Sequence, residues 1–561
     1  MTPWVHNYAP VMDSIVISAI FAAMPALFLL WALTIKRMKG YLAGLGTLAV
    51  AFLVATLVYG MPLTTAASAT VLGFANGLFP IGYIILTSLL LYNLIVASGQ
   101  FEVIKESISY ISSDRRMQAL LIAFAFSAFL EGAAGQGAPV AIAAAILIGL
   151  GFPPMMAAVV CLVANVPPVP FGPVGVPTIT MANVTGIDEM TLTRAVAANC
   201  AFISIIIPFA AIWVMSGLKK TLAVLPAILV TGVSYGVVSY IIAANLGPTL
   251  PSVITPLVTM GSIVVFLKVW QPSEVWNFSG GGALLDGATI PESTPSSGNK
   301  YTGSQIFKAW SGFLLVTVMM TIWGQPVFKK WLAGTGWFVN IPSWPGLDGL
   351  VHRAAPFVGS NPVYGASFKW DLFGYAGTAM LLATLITVII LKISPKKTGE
   401  VFVSTVKQLK FSIITVVSVI GLAYLCNYSG ISYTLGLAFS ETGKLFPAFS
   451  PFLGWLGVFM TGSVTSSSAL FGKLQQVTAE TLGLNPVLTI TGNIVGGIMG
   501  KLISPQSIAI ACAATGLVGR ETDIFRAVLK YSVILLCIVI VMILFQAYVM
   551  PGIVPVLPVA P

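Results

Sequence analysis

Apolar runs of about 20 residues, separated by short polar segments, fill most of this 561-residue chain and constrain its fold more than any other feature. A helix needs roughly 20 apolar residues to cross a bilayer, whereas barrel strands show about ten residues of alternating hydrophobicity. Only 8% of the residues are charged and 57% are hydrophobic. The sequence therefore predicts an all-α polytopic membrane protein with about 12 transmembrane helices.

The basic residues concentrate in short segments beside the apolar runs, at 36–39, 219–220 and 392–410. Basic loops of membrane proteins face the cytoplasm, which explains the net charge of +10 better than nucleic-acid binding does. With these segments inside, the order of apolar runs places the N-terminus and the C-terminus outside. We expect a lipid bilayer around the chain and no nucleic acid as a partner.

Cysteine and histidine usage gives no sign of a metal or redox site. The five cysteines fall in apolar stretches without paired spacing, which argues against a disulfide framework. Neither His6 nor His352 has a ligand-like neighbour, so both are predicted to be solvated loop or terminal residues. The sequence contains no nucleophile, metal or nucleotide motif. We expect neither an enzyme nor a bound cofactor.

Two polar stretches rich in glycine or serine interrupt the apolar sequence, FLEGAAGQGAP at 129–139 and MTGSVTSSSAL at 460–470. In hydrocarbon, a broken helix is tolerated only where protein buries it or where it lines a cavity. The apolar segment 120–131 before the first stretch would make a helix of roughly 18 Å, too short to span a bilayer. We predict two re-entrant hairpins, with tips at 132–138 and 462–468, that enter from the cytoplasm and from outside respectively.

Weak self-similarity links the segments that follow the two hairpins. Leu-Gly-x-x-Pro occurs at 150–154 and again at 482–486. In both halves an Asn then follows, with a Pro twelve residues later: Asn165 and Pro177 in the first half, and Asn493 and Pro505 in the second. Inverted repeats with discontinuous helices are typical of secondary transporters that hold substrate at the repeat interface. The pattern predicts an inverted repeat in an elevator-like transporter.

The predicted organisation alternates scaffold helices with transport units. A loop rich in Gly, Ser and Pro predicts a cytoplasmic linker, and four tryptophans in a second loop favour an interfacial or folded external cap. The segments are scaffold helices at 1–116, the first hairpin and broken helix at 117–198, scaffold helices at 199–410 with the cytoplasmic loop 271–303 and the external loop 325–370, the second hairpin and broken helix at 411–519, and a C-terminal helix at 520–561.

Half-helices that begin at the tips would present free N–H groups and a positive dipole end, which attract anions. Neutral polar side chains at the same depth could complete a site for a small carboxylate that carries a hydroxyl. The opposing interpretation is that small residues only permit close packing and that Ser and Thr bond to their own helices. The predicted substrate-binding residues are Gly135, Gln136, Gly137, Asn165, Thr461, Ser463, Thr465, Ser466, Asn493, Ser504, Gln506, Ser507 and Lys501.

Glu131 is the single acid between Asp114 and Asp188 and stands at the predicted end of a hairpin helix. An intramembrane carboxyl is costly and marks a functional site by default, so Glu131 is the predicted proton-coupling residue. The alternative is an acid that caps the tip and accepts from backbone amides. Lys501 would complement a substrate carboxylate or pair with Glu131, unless it is a lysine that extends to the membrane interface.

These motifs, together with LVANVPPVPFGPVGVPT and KLISPQSIAIACAATGLVG, resemble the lactate permease family, and the second of these runs is highly specific. The resemblance covers most of the chain and implies a secondary transporter of 2-hydroxymonocarboxylates, lactate and glycolate, in a prokaryotic plasma membrane. Proton symport is the coupling that it implies. The residues that match the family pattern at the two tips and the second break are Glu131, the tip glycines, Thr461, Gly462, Ser463, Ser504, Pro505 and Gln506.

Six positions depart from that family pattern, among them Val166, Pro167 and Pro170, which replace the usual residues of an ANTAPVAFG stretch. Val464 and Ser468 stand where the family commonly has TGSDTSSN, and Gln136 replaces an aromatic residue. Coupling would then rest on Glu131 alone, use another ion, or be absent. Two alternatives stay open: a sodium-coupled carrier for another small organic anion, and an anion channel.

Overall fold

The first half of the protein consists of helices connected by short turns. The computed structural model describes residues 3–36, 38–109, 112–133, 138–278, 301–357, 363–517 and 520–555. Its first helices are α1 (Ile15–Leu30), α2 (Gly40–Leu53), α3 (Leu63–Asn76), α4 (Tyr83–Ala97), α5 (Gln100–Ser109), α6 (Arg115–Gln118), α7 (Ser127–Ala133), α8 (Ala138–Gly149), α9 (Pro154–Ala164), α10 (Val176–Thr185), α11 (Glu189–Leu222), α12 (Leu225–Leu246) and α13 (Pro251–Val269).

The second half adds ten helices and three of the four short strands. The helices are α14 (Gly303–Gly324), α15 (Pro326–Gly334), α16 (Ala376–Ile390), α17 (Pro395–Tyr428), α18 (Ile431–Ser440), α19 (Phe446–Thr461), α20 (Val464–Thr481), α21 (Pro486–Lys501), α22 (Pro505–Thr515) and α23 (Glu521–Tyr548). The strands are β1 (Trp4–Val5), β2 (Val339–Ile341), β3 (Val351–His352) and β4 (Phe368–Trp370).

Within the described ranges, ten helices are long and apolar enough to cross a membrane. The prediction of a helical multi-pass protein is confirmed at this level, and the predicted count of 12 spans is not reached. Helices α1 and α16 have the composition of spans but only 16 and 15 residues. A π-helical stretch, Trp31–Ile35, extends α1.

The first predicted hairpin has a longer entry arm than the sequence indicated. A π-helical stretch, Ala119–Phe126, joins α6 to α7, so the arm runs through 19 residues from Arg115 to Ala133, roughly 28 Å, and all of them except Arg115 are buried. It begins early because the Asp114 carboxylate caps it, accepting from the Arg116 amide at 2.8 Å. The return arm α8 packs against this helix. The Arg115 guanidinium lies 5.8 Å from the centre of the Phe152 ring. The start of the entry arm is therefore close to the end of the return arm.

A buried ion pair ties the base of this hairpin to neighbouring segments. Arg116 Nη2 donates to Asp114 Oδ2 at 2.6 Å, and both side chains are at most 2% exposed. The same guanidinium donates to the backbone carbonyls of Lys220 and Glu274 at 2.9 Å each. This network fixes the hairpin base to the end of α11 and to the chain that follows α13.

The Leu-Gly-x-x-Pro repeat takes the same local structure in both halves. Gly151 and Gly483 have φ of 92° and 65°, a left-handed conformation that terminates a helix and that glycine adopts without strain. Pro154 and Pro486 then open α9 and α21 at their first turns, where proline is favoured. The asparagines differ, because Asn165 ends α9 whereas Asn493 lies inside α21.

Helices α19 and α21 touch backbone to backbone through glycines. A Cβ at Gly496 would overlap the Pro451 carbonyl oxygen, and one at Gly500 would overlap that of Trp455. Small residues four apart permit this close approach between membrane helices. The entry arm of the second hairpin is therefore bound tightly to the helix that ends at Lys501.

The predicted cap loop is folded, although its strands were not predicted. β2 pairs with β4 in an antiparallel ladder, and β1 from the N-terminal segment pairs with β3 in parallel. The prediction that His6 is solvated was wrong: its side chain is buried, and Nε2 donates to the Tyr428 carbonyl at 2.9 Å. Most of the predicted linker 271–303, namely 279–300, lies outside the described residues.

Candidate functional site

A buried chain of polar side chains centres on Glu131, near the end of α7. Asn165 Nδ2 donates to Glu131 Oε2 at 2.8 Å, and Ser127 Oγ donates to Asn165 Oδ1 at 3.0 Å. Lys501 Nζ donates to the other carboxylate oxygen, Oε1, at 2.8 Å. Each oxygen of the carboxylate therefore has a partner, as burial of a charge requires.

The ion pair joins parts of the chain that are 370 positions apart in sequence. The Glu131 side chain is 4% exposed and that of Lys501 is 14% exposed. Lysine has three N–H donors, so the bond to Glu131 leaves capacity for another acceptor. The lysine is thus the more accessible member of the pair and the one that a small anion can reach.

Gly172 forms the wall behind Glu131. A Cβ at this position would lie 2.7 Å from Glu131 Cγ and 3.2 Å from the Glu131 carbonyl oxygen. The segment after α9 therefore reaches the carboxyl side chain only because residue 172 has no side chain. We conclude that the broken region between α9 and α10 positions Glu131 from one side while Asn165 holds it from another.

The second break is short and directly follows Lys501. Residues 502–504 interrupt the helix, and Ser504 caps α22 by accepting from the Ser507 amide at 3.2 Å. Ser504 Oγ also donates to Ser507 Oγ at 2.8 Å. Both hydroxyls are thereby engaged in local capping, which agrees with the alternative that these side chains bond to their own helix.

The tip of the second hairpin is a two-residue connection between α19 and α20. Gly462 has φ of 70°, and Ser463 caps α20 by accepting from the Ser466 amide at 3.3 Å. Thr461 Oγ1 donates to the Gly457 carbonyl at 2.8 Å. A Cβ at Gly462 would overlap the Gln506 side chain. The second tip therefore lies against the first turn of α22.

Two helix N-termini meet at this contact. Helices α20 and α22 have 18 and 11 residues, and each begins beside the contact between Gly462 and Gln506. Their free N–H groups and dipoles favour negative charge. The return arm of the first hairpin, α8, also packs against α22. The arrangement brings two positive helix ends together, a combination that favours an anion.

The predicted site residues divide into three groups. Glu131, Asn165 and Lys501 are in contact, while Thr461, Ser463, Ser504, Gln506 and Ser507 surround the second tip and the second break, with Thr465 and Ser466 buried in the first turn of α20. Asn493 is not at the break: it lies two turns earlier in α21, where its Oδ1 accepts from Gln475 Nε2 at 3.2 Å. Gly135, Gln136 and Gly137 lie outside the described residues.

Two contributors were missed by the sequence interpretation, Ser127 and Gly172. Ser127 stands four residues before Glu131 on one helix, a spacing that places both side chains on the same face. That spacing could have indicated its role. Gly172 has no comparable signal, because its importance comes from contact with a residue 41 positions earlier.

Three buried hydroxyls line one face of α13 beside the first hairpin. Ser252, Thr255 and Thr259 are fully buried, and their hydroxyl oxygens have no hydrogen-bond partner among the described residues. Gly132 packs directly on the Ser252 carbonyl. Most buried hydroxyls in proteins are paired, so three unpaired ones on one face distinguish this side of α13.

Comparison with known proteins supplies relatives along nearly the whole chain. The sequence family L-lactate permease matches residues 18–550. The L-lactate permease of Bacillus subtilis (strain 168) is 46% identical over 570 residues, which cover 98% of this chain and 100% of the relative. The glycolate permease GlcA of Escherichia coli (strain K12) is 43% identical over 559 residues, which cover 98% of this chain and 99% of the relative.

One solved structure shows a more distant similarity. MtrF of Neisseria gonorrhoeae, described as illuminating a class of antimetabolite efflux pumps, has a TM-score of 0.45 and 13% identity. The alignment covers 89% of this chain and 87% of that chain.

Proposed function

Because the chain belongs to the L-lactate permease family, we propose that it is a secondary active transporter of lactate and glycolate driven by proton symport. Membership makes it a multi-pass membrane permease, and its relatives are named for lactate and glycolate. The coupling is our inference from the geometry of Glu131 and Lys501. Proteins of this class move a solute without chemical change, so no catalytic residue is required.

The ion pair between Glu131 and Lys501 is the observation that carries the proposal. Lys501 has N–H donors left for a monocarboxylate, but the Glu131 carboxylate at 2.8 Å already balances its charge and repels a second anion. Protonation of Glu131 removes the competing charge and leaves Lys501 available for the substrate carboxylate. Substrate and proton therefore favour each other's binding, which is the thermodynamic requirement for symport.

The second tip supplies recognition beyond the carboxylate. Helices α20 and α22 direct their N-termini toward the region beside Lys501, and Gln506 is exposed at that point. An amide offers a donor and an acceptor, so it can bind the substrate 2-hydroxyl in either sense. We assign Lys501 and the helix ends to the carboxylate and Gln506 to the hydroxyl, with Asn165 and Ser127 holding Glu131.

The hydroxyl face of α13 gives Glu131 a route for protons. Ser252, Thr255 and Thr259 follow one another along the helix beside the first hairpin tip, and water bound between such hydroxyls can conduct protons. Residue 255 is the middle of the three. We propose that protons reach the carboxyl group along this face while the substrate arrives from the side of Lys501.

We further propose that 117–198 and 411–519 form two oppositely oriented re-entrant units that move as an elevator against the remaining helices. The recurrent Gly-x-x-Pro turns support the repeat. A cavity of about 240 Å³ between the first unit and scaffold helices supports a loosely packed interface; its lining includes Ile84, Asn183, Thr249 and Trp323. The basic segments support a prokaryotic plasma membrane orientation with the cap and both termini outside.

Uptake of labelled lactate by proteoliposomes tests the proposal. An inward proton gradient should drive accumulation, whereas a sodium gradient at equal pH should not. Lys501→Ala should raise the KM for lactate about tenfold or more, since a hydrogen bond to a charged group is worth roughly 1.5–3 kcal/mol. Lys330→Ala, an exposed lysine in α15, is the matched control. Accumulation driven by sodium alone, or an unchanged KM in Lys501→Ala, would refute the proposed site.

A further inference from the structure

Two basic side chains in and beneath the cap lack carboxylate partners. Arg353 follows β3, and Lys473 lies in the middle of α20. Within the part of the chain that the structure describes, no carboxylate oxygen forms an ion pair with either of them. Unpaired, partly buried cations are unusual in a chain with 8% charged residues.

Arg353 is held against an aromatic ring and not against an acid. Its guanidinium carbon lies 4.9 Å from the centre of the Tyr364 ring. Its Nε is buried and has no hydrogen-bond partner among the described residues. An unsatisfied guanidinium N–H is costly unless some acceptor reaches it. Arginine binds carboxylates with two parallel N–H donors, so such an acceptor is well matched to it.

Lys473 approaches the same cluster from the hairpin. Its Nζ lies 5.3 Å from the centre of the Tyr433 ring and donates to Gln476 Oε1 at 3.0 Å. The nearby acid, Glu480, accepts instead from Gln476 Nε2 at 2.9 Å. Lys473 therefore has a neutral partner and keeps its remaining donors.

Aromatic and imidazole rings connect the two cations. The rings of Tyr364 and Tyr433 are 6.4 Å apart between centres, and His6 lies 6.1 Å and 5.5 Å from them. Burial of His6 and the positive charges of Arg353 and Lys473 keep this imidazole neutral. The cluster thus carries two positive charges, neither of which forms an ion pair with a described carboxylate.

We propose that Arg353 and Lys473 form a second carboxylate-binding site, on the cap side of the second hairpin, that captures monocarboxylate anions before they reach Lys501. This inference rests on the proposed transport function. Lys473 lies ten residues beyond Ser463 on the same helix, about 15 Å from the tip. An anion bound there is attracted by positive charge on both sides of its path. Capture of this kind raises the rate at which a charged ligand enters its site.

Lactate uptake at varied ionic strength tests this second site. Arg353→Gln and Lys473→Gln should each raise the KM at low salt, and the double variant should raise it about tenfold. At roughly 0.5 M salt the differences should fall below about twofold, because screening weakens attraction over such distances. Maximal exchange rates should stay within about twofold of the wild type, since transport beyond the captured anion is unchanged.

Controls separate a binding role from a structural one. Arg353→Lys keeps the charge and should restore most of the low-salt KM, whereas a purely structural role would not be restored. Lys330→Gln removes an exposed positive charge elsewhere in the same loop and should have no effect. The two cations lie on separate elements, so a folding defect in one variant leaves the other as the test. Unchanged KM values, or a KM increase independent of salt, would overturn the inference.

The two proposals fail in different ways. If the wild-type protein transports no lactate under any gradient, the proposed function is wrong. Equilibrium binding of labelled lactate to the purified full chain then still tests the cap site: binding reduced by Arg353→Gln and Lys473→Gln supports it, and binding insensitive to both excludes it. If the wild type transports and both variants match it at low salt, only the cap site is wrong.

Discussion

Substitution of Glu131 by Gln is the sharpest test of coupling, because the surrounding network can accept the amide. Gln Oε1 can accept from Lys501 as the carboxylate does. Gln Nε2 would then face Asn165. The Asn165 amide must flip by 180° so that its Oδ1 accepts a hydrogen bond from Gln Nε2. After that rotation the Asn165 amino group faces Ser127, and a hydroxyl oxygen can accept as well as donate. The variant therefore keeps the hydrogen bonds and loses only the charge.

The magnitude follows from the ion pair. At 2.8 Å, and with an effective dielectric constant of about 20, the attraction is roughly 6 kcal/mol before desolvation costs are subtracted. When residue 131 is neutral, the positive charge of Lys501 can instead attract the substrate carboxylate. A charge-assisted hydrogen bond gained by lactate is worth about 1.5–3 kcal/mol, or roughly 10- to 150-fold in affinity. We expect Glu131→Gln to bind lactate at least about tenfold tighter than the wild type at alkaline pH.

Three measurements on proteoliposomes check this expectation. Lactate counterflow should persist, accumulation driven by a pH gradient should disappear, and lactate affinity should become independent of pH. Glu400→Gln removes an exposed acid in α17 and is the control for loss of one negative charge. If Glu131→Gln accumulated lactate as well as the wild type under a pH gradient, Glu131 could not be the proton carrier.

Three further predictions concern other parts of the molecule. Thr255→Val removes a hydroxyl that has no described partner and should leave stability and counterflow intact while slowing proton-driven uptake; equal uptake would exclude the proton route. Gly496→Ala should cost several kcal/mol in thermal unfolding because its Cβ meets the Pro451 backbone, whereas Gly261→Ala, in open space, should be neutral. Burial lowers the pKa of His6 to about 4, below its ordinary 6.5. As the pH falls from 6.5 toward 4, the unfolded chain therefore binds a proton that the folded cap excludes, and the cap loses about 3 kcal/mol of the stability that it has above pH 6.5. Protection of β1 from hydrogen exchange should fall in that range, and His6→Gln should abolish the change.

The membrane class and the intramembrane acid could be predicted because both depend on local composition. A run of apolar residues needs a bilayer, and an acid within it needs a partner, so Glu131 and Lys501 were identifiable as candidates 370 positions apart. The partnership itself depends on how helices pack, and the sequence left it open against alternatives. The local turns at Gly151 and Gly483 were also predictable, since proline three residues later must open a new helix.

The glycines of the second break were misleading. The sequence predicts a broken helix within 411–519 and includes Asn493 in the site, yet α21 continues to Lys501 and only 502–504 depart from it. Glycine lowers helix propensity in water, but between membrane helices it also permits backbone contact, and here that contact with α19 is what Gly496 and Gly500 provide. Asn493 was therefore placed at the break although it lies inside a continuous helix.

The charge count of the proposed site favours the coupling of one proton to one anion. In the segments 127–133, 165–175, 461–468 and 501–507, the charged side chains are Glu131 and Lys501. The empty site has one negative and one positive charge, and a site with protonated Glu131 and bound lactate is also neutral. A proton alone or lactate alone leaves one uncompensated charge, which costs several kcal/mol in the membrane interior. An acid at position 464 would leave the empty site with a net negative charge, so Val464 is consistent with coupling through one carboxyl group.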